Sequence, residues 1–230
     1  MAIVAVLIGF GCLSSHRLDA YQSELALWQD AVAHQPHDPT VRQNLGIQLA
    51  QAGRLPEAIG HLEEAVRLRP DSHMTHYHLA LSLEQSERTE EAIEHYREAV
   101  RLKPTDPAPH NNLGRLLADA GHVREAIEHY RQAIALRSDF AAAHSNLGIL
   151  LMTLGQRQES IEHFEAAQRA REDSATCLDL ATAYAMVNRV DEAIRMAEKS
   201  LDWARSEGND SRARDVEAVL AELRAYRAAH

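Results

Sequence analysis

The residues best suited to chemistry in this 230-residue chain are its 14 histidines, and seven of them recur at a fixed spacing. His61, His95, His129 and His163 fall 34 residues apart, and so do His76, His110 and His144. Imidazole can ligate a transition metal or exchange a proton near neutral pH. A zinc site needs ring nitrogens about 2.0 Å from one centre. A period this long instead places equivalent residues on successive structural repeats, about 10 Å or more apart if two helices separate them. The rows are therefore read as duplicated positions, and no metal site is expected. Protonating all the histidines would reverse the sign of a net charge of −10, chiefly around the ordinary imidazole pKa of about 6.5.

Other reactive groups are sparse. Cys12 and Cys177 are the only cysteines and match no CxxC or zinc-ligand spacing, so neither a disulfide framework nor a metal centre is indicated. Carboxylate pairs such as Glu63–Glu64 and Glu90–Glu91 sit in polar stretches and read as solvated helix faces. No GxxxxGK[ST], GxGxxG, HExxH or GxSxG pattern occurs. Neither catalysis nor a cofactor is expected. The excess of 34 Asp plus Glu over 24 Lys plus Arg argues against a nucleic-acid partner, because phosphate binding needs a basic footprint.

The period of 34 runs through the elements that carry these residues. Pro36, Pro70 and Pro104 share it, with Ser138 in the next slot. So do Leu45–Gly46, Leu79–Ala80, Leu113–Gly114 and Leu147–Gly148. Ala58, Ala92, Ala126 and Ser160 follow, then Leu62, Tyr96, Tyr130 and Phe164, then Ala65, Ala99, Ala133 and Ala167. Within each repeat the apolar positions recur every three or four residues, which is helical spacing. Gly53, Gly121 and Gly155 mark a break in the middle, with Asn188 as a later analogue, where a left-handed backbone joins two helices. Glu87 departs from this pattern, so that turn is expected to be built differently. Each repeat is thus a helical hairpin. A small residue on the first helix admits the second closely, and a bulky side chain fills what space remains.

The segments NLGIQLAQAGRLPEAIGHLEEAVRLRP (Asn44 to Pro70) and NLGRLLADAGHVREAIEHYRQAIAL (Asn112 to Leu136) resemble tetratricopeptide repeats. The resemblance covers about residues 39 to 206 as five repeats starting near Pro39, His73, Pro107, Ala141 and Ser174. The family's tryptophan at the fourth position is replaced by Arg42, His76, His110 and His144. The resemblance implies an all-α, right-handed superhelical solenoid of stacked helix-turn-helix hairpins.

The flanks divide the chain further. Residues 1–15 form an apolar, uncharged anchor or signal-like segment, and 16–37 a lead-in helix with Leu25, Trp28 and Ala31 on one face. Residues 38–206 hold the repeats and 207–230 a capping helix with an apolar stripe at Val216, Leu220, Leu223 and Tyr226. The run Ala2–Leu13 is short for a span of about 20 residues. It is read as the end of a membrane helix, a weak signal or anchor, or a terminal helix packed on the fold. Membrane association is expected, on an unspecified side, with a cytoplasmic location as the alternative.

In the family, the first helices line a concave groove where partners bind. Carried over by register, the sixth position offers Asn44, His78, Asn112, Asn146 and Asp179. A row of amides can hydrogen-bond the backbone of an extended chain, as in the O-linked N-acetylglucosamine transferases that this feature resembles. The competing reading is that asparagine merely tolerates a solvated face. Asn111 and Arg115 complete the candidate groove; only Arg115 is basic, so a clamp for an acidic chaperone tail is not expected. The expected function is a non-enzymatic, membrane-tethered scaffold for a protein or peptide segment. An alternative follows from YQSELALWQDAVAHQPHDPTVRQNLG, which resembles the junction in transmembrane O-mannosyltransferase-like proteins with C-terminal repeats. This chain would then be the regulatory or substrate-holding part of an enzyme whose catalytic region lies elsewhere.

Overall fold

A computed structural model describes residues 24–230, and all regular structure among them is α-helical. Twelve helices follow in order: α1 (Glu24–His34), α2 (Pro39–Gln51), α3 (Leu55–Leu68), α4 (His73–Gln85), α5 (Thr89–Leu102) and α6 (Pro107–Asp119), then α7 (Val123–Leu136), α8 (Ala141–Thr153), α9 (Arg157–Ala170), α10 (Ser174–Met186), α11 (Val190–Ser206) and α12 (Asp210–Ala229). The tightest packing joins α2 to α3, α4 to α5, α6 to α7, α8 to α9 and α10 to α11, so the hairpin read from the sequence is the building block. The chain divides into two compact units, one ending at Lys103 and the other beginning at Pro104.

Helix starts follow from local chemistry. Asp38 accepts hydrogen bonds from the backbone N–H of Thr40 and Val41, at 2.7 and 3.1 Å, ahead of Pro39 at the first helical position. Asp106 and Pro107 repeat the device at α6, and Asp173 with Thr176 forms a reciprocal capping box at α10. Between the helices of a hairpin the chain turns through the left-handed region at Gly53, Gly121, Gly155 and Asn188. Glu87 does the same, at φ 60°, which corrects the expectation of a different turn. The reason lies in the hydrogen bonds, because Glu87 N donates to Glu84 O and Arg88 N to Leu83 O, as Gly53 N does to Ala50 O and Arg54 N to Leu49 O. Tertiary packing imposes one turn on all the hairpins, and glutamate bears the conformational cost.

The first unit has its core between α2 and α3 and between α4 and α5, with Leu45, Leu49, Leu62, Leu79, Leu83 and Tyr96 fully buried. Leu25, Trp28 and Val32 of α1 close its open end against Leu45, Leu49 and Ala58. In the second unit Leu113, Leu117, Tyr130, Leu147, Leu151 and Phe164 fill the equivalent places. There α12 covers the last hairpin, burying Val216 and Leu220 against Ala181, Ile194 and Ala197. Tyr226 at the end of the stripe stays exposed and donates its hydroxyl to Asn188 Oδ1 at 3.1 Å. The anchor segment 1–15 and residues 16–23 of the lead-in helix lie outside the described residues. Among the described residues no helix is long and apolar enough to cross a membrane.

Candidate partner-binding site

In the second unit the first helices α6, α8 and α10 lie side by side, and their sixth positions carry Asn112, Asn146 and Asp179. The amides do not form a simple row. Asn146 Nδ2 donates to Asn111 Oδ1 at 3.0 Å, and Asn111 Nδ2 donates to Asn112 Oδ1 at 3.1 Å. Asn111, read from the sequence as a groove residue, is buried, whereas Asn112 and Asn146 are half-buried. The chain of bonds fixes which way each amide faces, since Asn146 donates, Asn111 both accepts and donates, and Asn112 accepts. Arg115, one turn further along α6, pairs with Asp119 at 3.6 Å. Burial pushes the Asp179 carboxyl up, against the pull of Arg212 from α12.

The position equivalent to Arg115 on α8 is Ile149, which is 50% exposed on the same face. Sequence reasoning passed over it, although the register of 34 that located Asn146 also locates Ile149. In the first unit Asn44 on α2 and His78 on α4 are both half-buried. Burial lowers the His78 pKa, and its ring meets Tyr77 edge-on. Beside them Thr75 Oγ1 donates to Gln43 Oε1 at 2.6 Å, joining α4 to α2 as Asn146 and Asn111 join α8 to α6.

A second feature was missed entirely. The two histidine rows, treated from the sequence as separate series, meet inside the three middle hairpins: Nδ1 of His76 and His95 lie 3.0 Å apart, those of His110 and His129 3.0 Å, and those of His144 and His163 2.9 Å. The signal was a constant offset of 19 residues between the rows, which brings one position on the first helix opposite one on the second.

Profiles of the tetratricopeptide repeat match residues 21–73, 44–107, 141–174 and 174–199, and a profile described as TPR repeat matches 114–155. The chain belongs to the tetratricopeptide-repeat family. No curated protein matches it significantly. Among solved structures, it resembles YrrB, a tetratricopeptide protein with an unusual peptide-binding site, at TM-score 0.62 and 18% identity over 83% of this chain and 97% of that one. It also resembles MamA, at TM-score 0.64 and 21% identity over 75% and 94%. PilF of Pseudomonas aeruginosa is similar at TM-score 0.65 and 19% identity over 84% and 97%. At such identities the likeness is one of fold.

Against that fold, the departures of this tetratricopeptide-repeat protein are informative. His76, His110, His144 and Arg42 occupy the family's tryptophan position. Cys177 stands in the equivalent place in the fifth repeat, where burial pushes the thiol up to about 11 and removes its nucleophilic form near neutral pH. Among the described residues no group of three or more histidine, cysteine or acidic side chains converges as a metal site.

Proposed function

We propose that this tetratricopeptide-repeat protein is a non-enzymatic scaffold that holds an extended peptide or protein segment against its first helices. Asn112, Asn146 and Arg115 would supply the contacts in the second unit, with Asn111 holding the amides in place, and Asn44 and His78 would supply those in the first. The observation that carries the reading is the hydrogen-bonded chain Asn146–Asn111–Asn112. It holds polar side chains in one orientation on a face with little net charge, which suits a peptide backbone better than a charged ligand. The peptide-binding site of the similar YrrB fold is consistent with it. A tether through the apolar residues 1–15 belongs to the same proposal, and membrane fractionation of the full chain beside a version lacking them would test it.

The groove is tested by a pull-down comparing the wild type with Asn44→Ala, Asn112→Ala and Asn146→Ala combined, with circular dichroism to confirm folding. Loss of partners from a folded variant supports the reading. Retention of the same partners at equal strength ends it.

A further inference from the structure

We infer that the pairs His76–His95, His110–His129 and His144–His163 are proton-counting latches, each closing its hairpin with either no added proton or one and opening at the second. The inference stands independently of the groove reading.

The geometry defines the neutral state. In all three pairs the ring centroids are 5.2 Å apart. With nitrogens about 3 Å apart, this is close to the largest separation two such rings can reach, so the imidazoles face each other nitrogen to nitrogen. The other ring nitrogen of each first-helix histidine lies against a backbone carbonyl: His76 Nε2 is 3.0 Å from Pro70 O, His110 Nε2 3.2 Å from Pro104 O and His144 Nε2 3.1 Å from Ser138 O. A carbonyl can only accept, so Nε2 carries the hydrogen, and in a neutral ring Nδ1 must then accept. Its partner on the second helix therefore donates through Nδ1–H. Each latch ties together the linker before the hairpin, the first helix and the second.

One proton fits this arrangement. The first-helix ring becomes an imidazolium that donates at both nitrogens, and its partner changes tautomer to accept, giving a charge-assisted bond in place of a neutral one. A second proton sets N–H against N–H and one cation against another, so the bond is lost. The first repeat displays the singly charged state permanently. There Arg42 takes the place of the first histidine, donating through Nε to Pro36 O at 2.5 Å and lying with Nη1 3.3 Å from His61 Nδ1. Arginine has no acceptor, so His61 must accept on Nδ1. The site therefore accommodates one cation. In the fifth repeat Cys177 and Met196 hold the two positions, and no such latch exists.

The surroundings of His76, His95, His110 and His163 do not reverse this balance. Glu91, Glu94 and Glu98 face His95, and Glu98 also faces His76, but Arg88 and Arg101 engage Glu91 and Glu98. Asp106 faces His110. Glu159 and Glu162 face His163, opposed by Arg131 of α7. Burial first, and then the partner imidazole, hold His95 and His163 below the ordinary value; burial also lowers His110. A metal between the rings is disfavoured, since head-on ligation would need the nitrogens about 4 Å apart, twice a bond of about 2.0 Å.

Unfolded, each pair binds two protons below about pH 6, and folded it binds one. The unfolded state then holds more protons, so stability is complete above the ordinary histidine pKa and falls as the pH drops. Each latch raises the unfolding constant by up to about tenfold per pH unit below that point. The test is urea unfolding of the full chain between pH 7.5 and 5.0, for the wild type and for His95→Asn, His129→Asn and His163→Asn, singly and together. The asparagine amide sits where Nδ1 was and can donate to a neutral ring or accept from a charged one. Each substitution is expected to lower the pH slope of log K by about one, and the triple variant by about three. An unchanged slope in a folded triple variant would overturn the inference. Nitrogen NMR of the wild-type histidines needs no variant: three of the six paired rings should gain protons at a distinctly lower pH than the other three. Independent titration of all six near 6.5 would overturn it equally.

Discussion

Replacing Gly46 with alanine is expected to destabilise the first hairpin by about 1 kcal/mol, although alanine is the better helix former. A Cβ built on Gly46 lies 2.6 Å from Leu62 Cγ and 3.1 Å from both Leu62 Cδ2 and Ala58 O. Ordinary carbon contacts are about 3.5–4.0 Å, so the shortfall approaches about 1 Å. Cγ is the branch point of a fully buried leucine, and moving it drives both methyl groups into their neighbours. Overpacking of this kind costs about 1–3 kcal/mol. The gain in helix propensity offsets about 1 kcal/mol of it. Gly114→Ala is the control. Its Cβ meets the edge of the Tyr130 ring at 3.0 Å and Ala126 O at 3.2 Å. The hairpin α4–α5 already has Ala80 in the equivalent place, facing Tyr96 with both fully buried. Gly114→Ala should therefore be neutral or stabilise by up to about 1 kcal/mol. Urea unfolding followed by circular dichroism would show the Gly46→Ala midpoint lowered by about 0.5 M, at about 2 kcal/mol per molar. Hydrogen exchange should place the loss in α2 and α3. If Gly46→Ala raised the midpoint as much as Gly114→Ala, close approach would not be what reserves position 46 for glycine.

Glu87→Gly should stabilise the protein by about 0.5–1 kcal/mol, because glutamate holds a left-handed backbone there, and an unchanged urea midpoint would count against that reading. Asp173→Ala removes one half of the capping box at α10 and an ion pair with Arg171 at 2.6 Å; a loss of about 1–2 kcal/mol is expected in thermal or urea unfolding. Cys177 should react with a thiol reagent far more slowly in the folded protein than in urea at pH 8, and equal rates would contradict its burial and raised pKa. Electrophoretic mobility should change less between pH 7.5 and 5.5 than 14 independent histidines would give, because burial keeps His61, His78, His95 and His163 neutral over more of that range.

Much of the fold was legible because a hairpin repeat writes its packing into a local period. Gly46, Gly114 and Gly148 stand where the second helix comes close, and Leu62, Tyr130 and Phe164 are the side chains they meet. The candidate site was less legible. Register alone placed Asn112 and Asn146 on neighbouring first helices, but it gave no sign that Asn146 bonds to Asn111, one position out of the row. That bond depends on the offset between α6 and α8, which no spacing along the chain encodes. Glu87 shows the opposite case, in which propensity pointed away from a turn that the packing of α4 against α5 enforces.

The sequence by itself determined that the chain is all-α, where its hairpins break, and which residues are equivalent from one repeat to the next, because these depend on the 3.6-residue helical period and a constant repeat length. Tertiary structure alone decided which non-equivalent residues meet. The histidine rows could be seen on the page as two parallel series, yet their contact depends on how one helix is rotated and shifted against the other. Side-chain packing sets that relation within α4–α5, where it turns His76 toward His95, and the packing of α8 beside α6 separately brings Asn146 to Asn111.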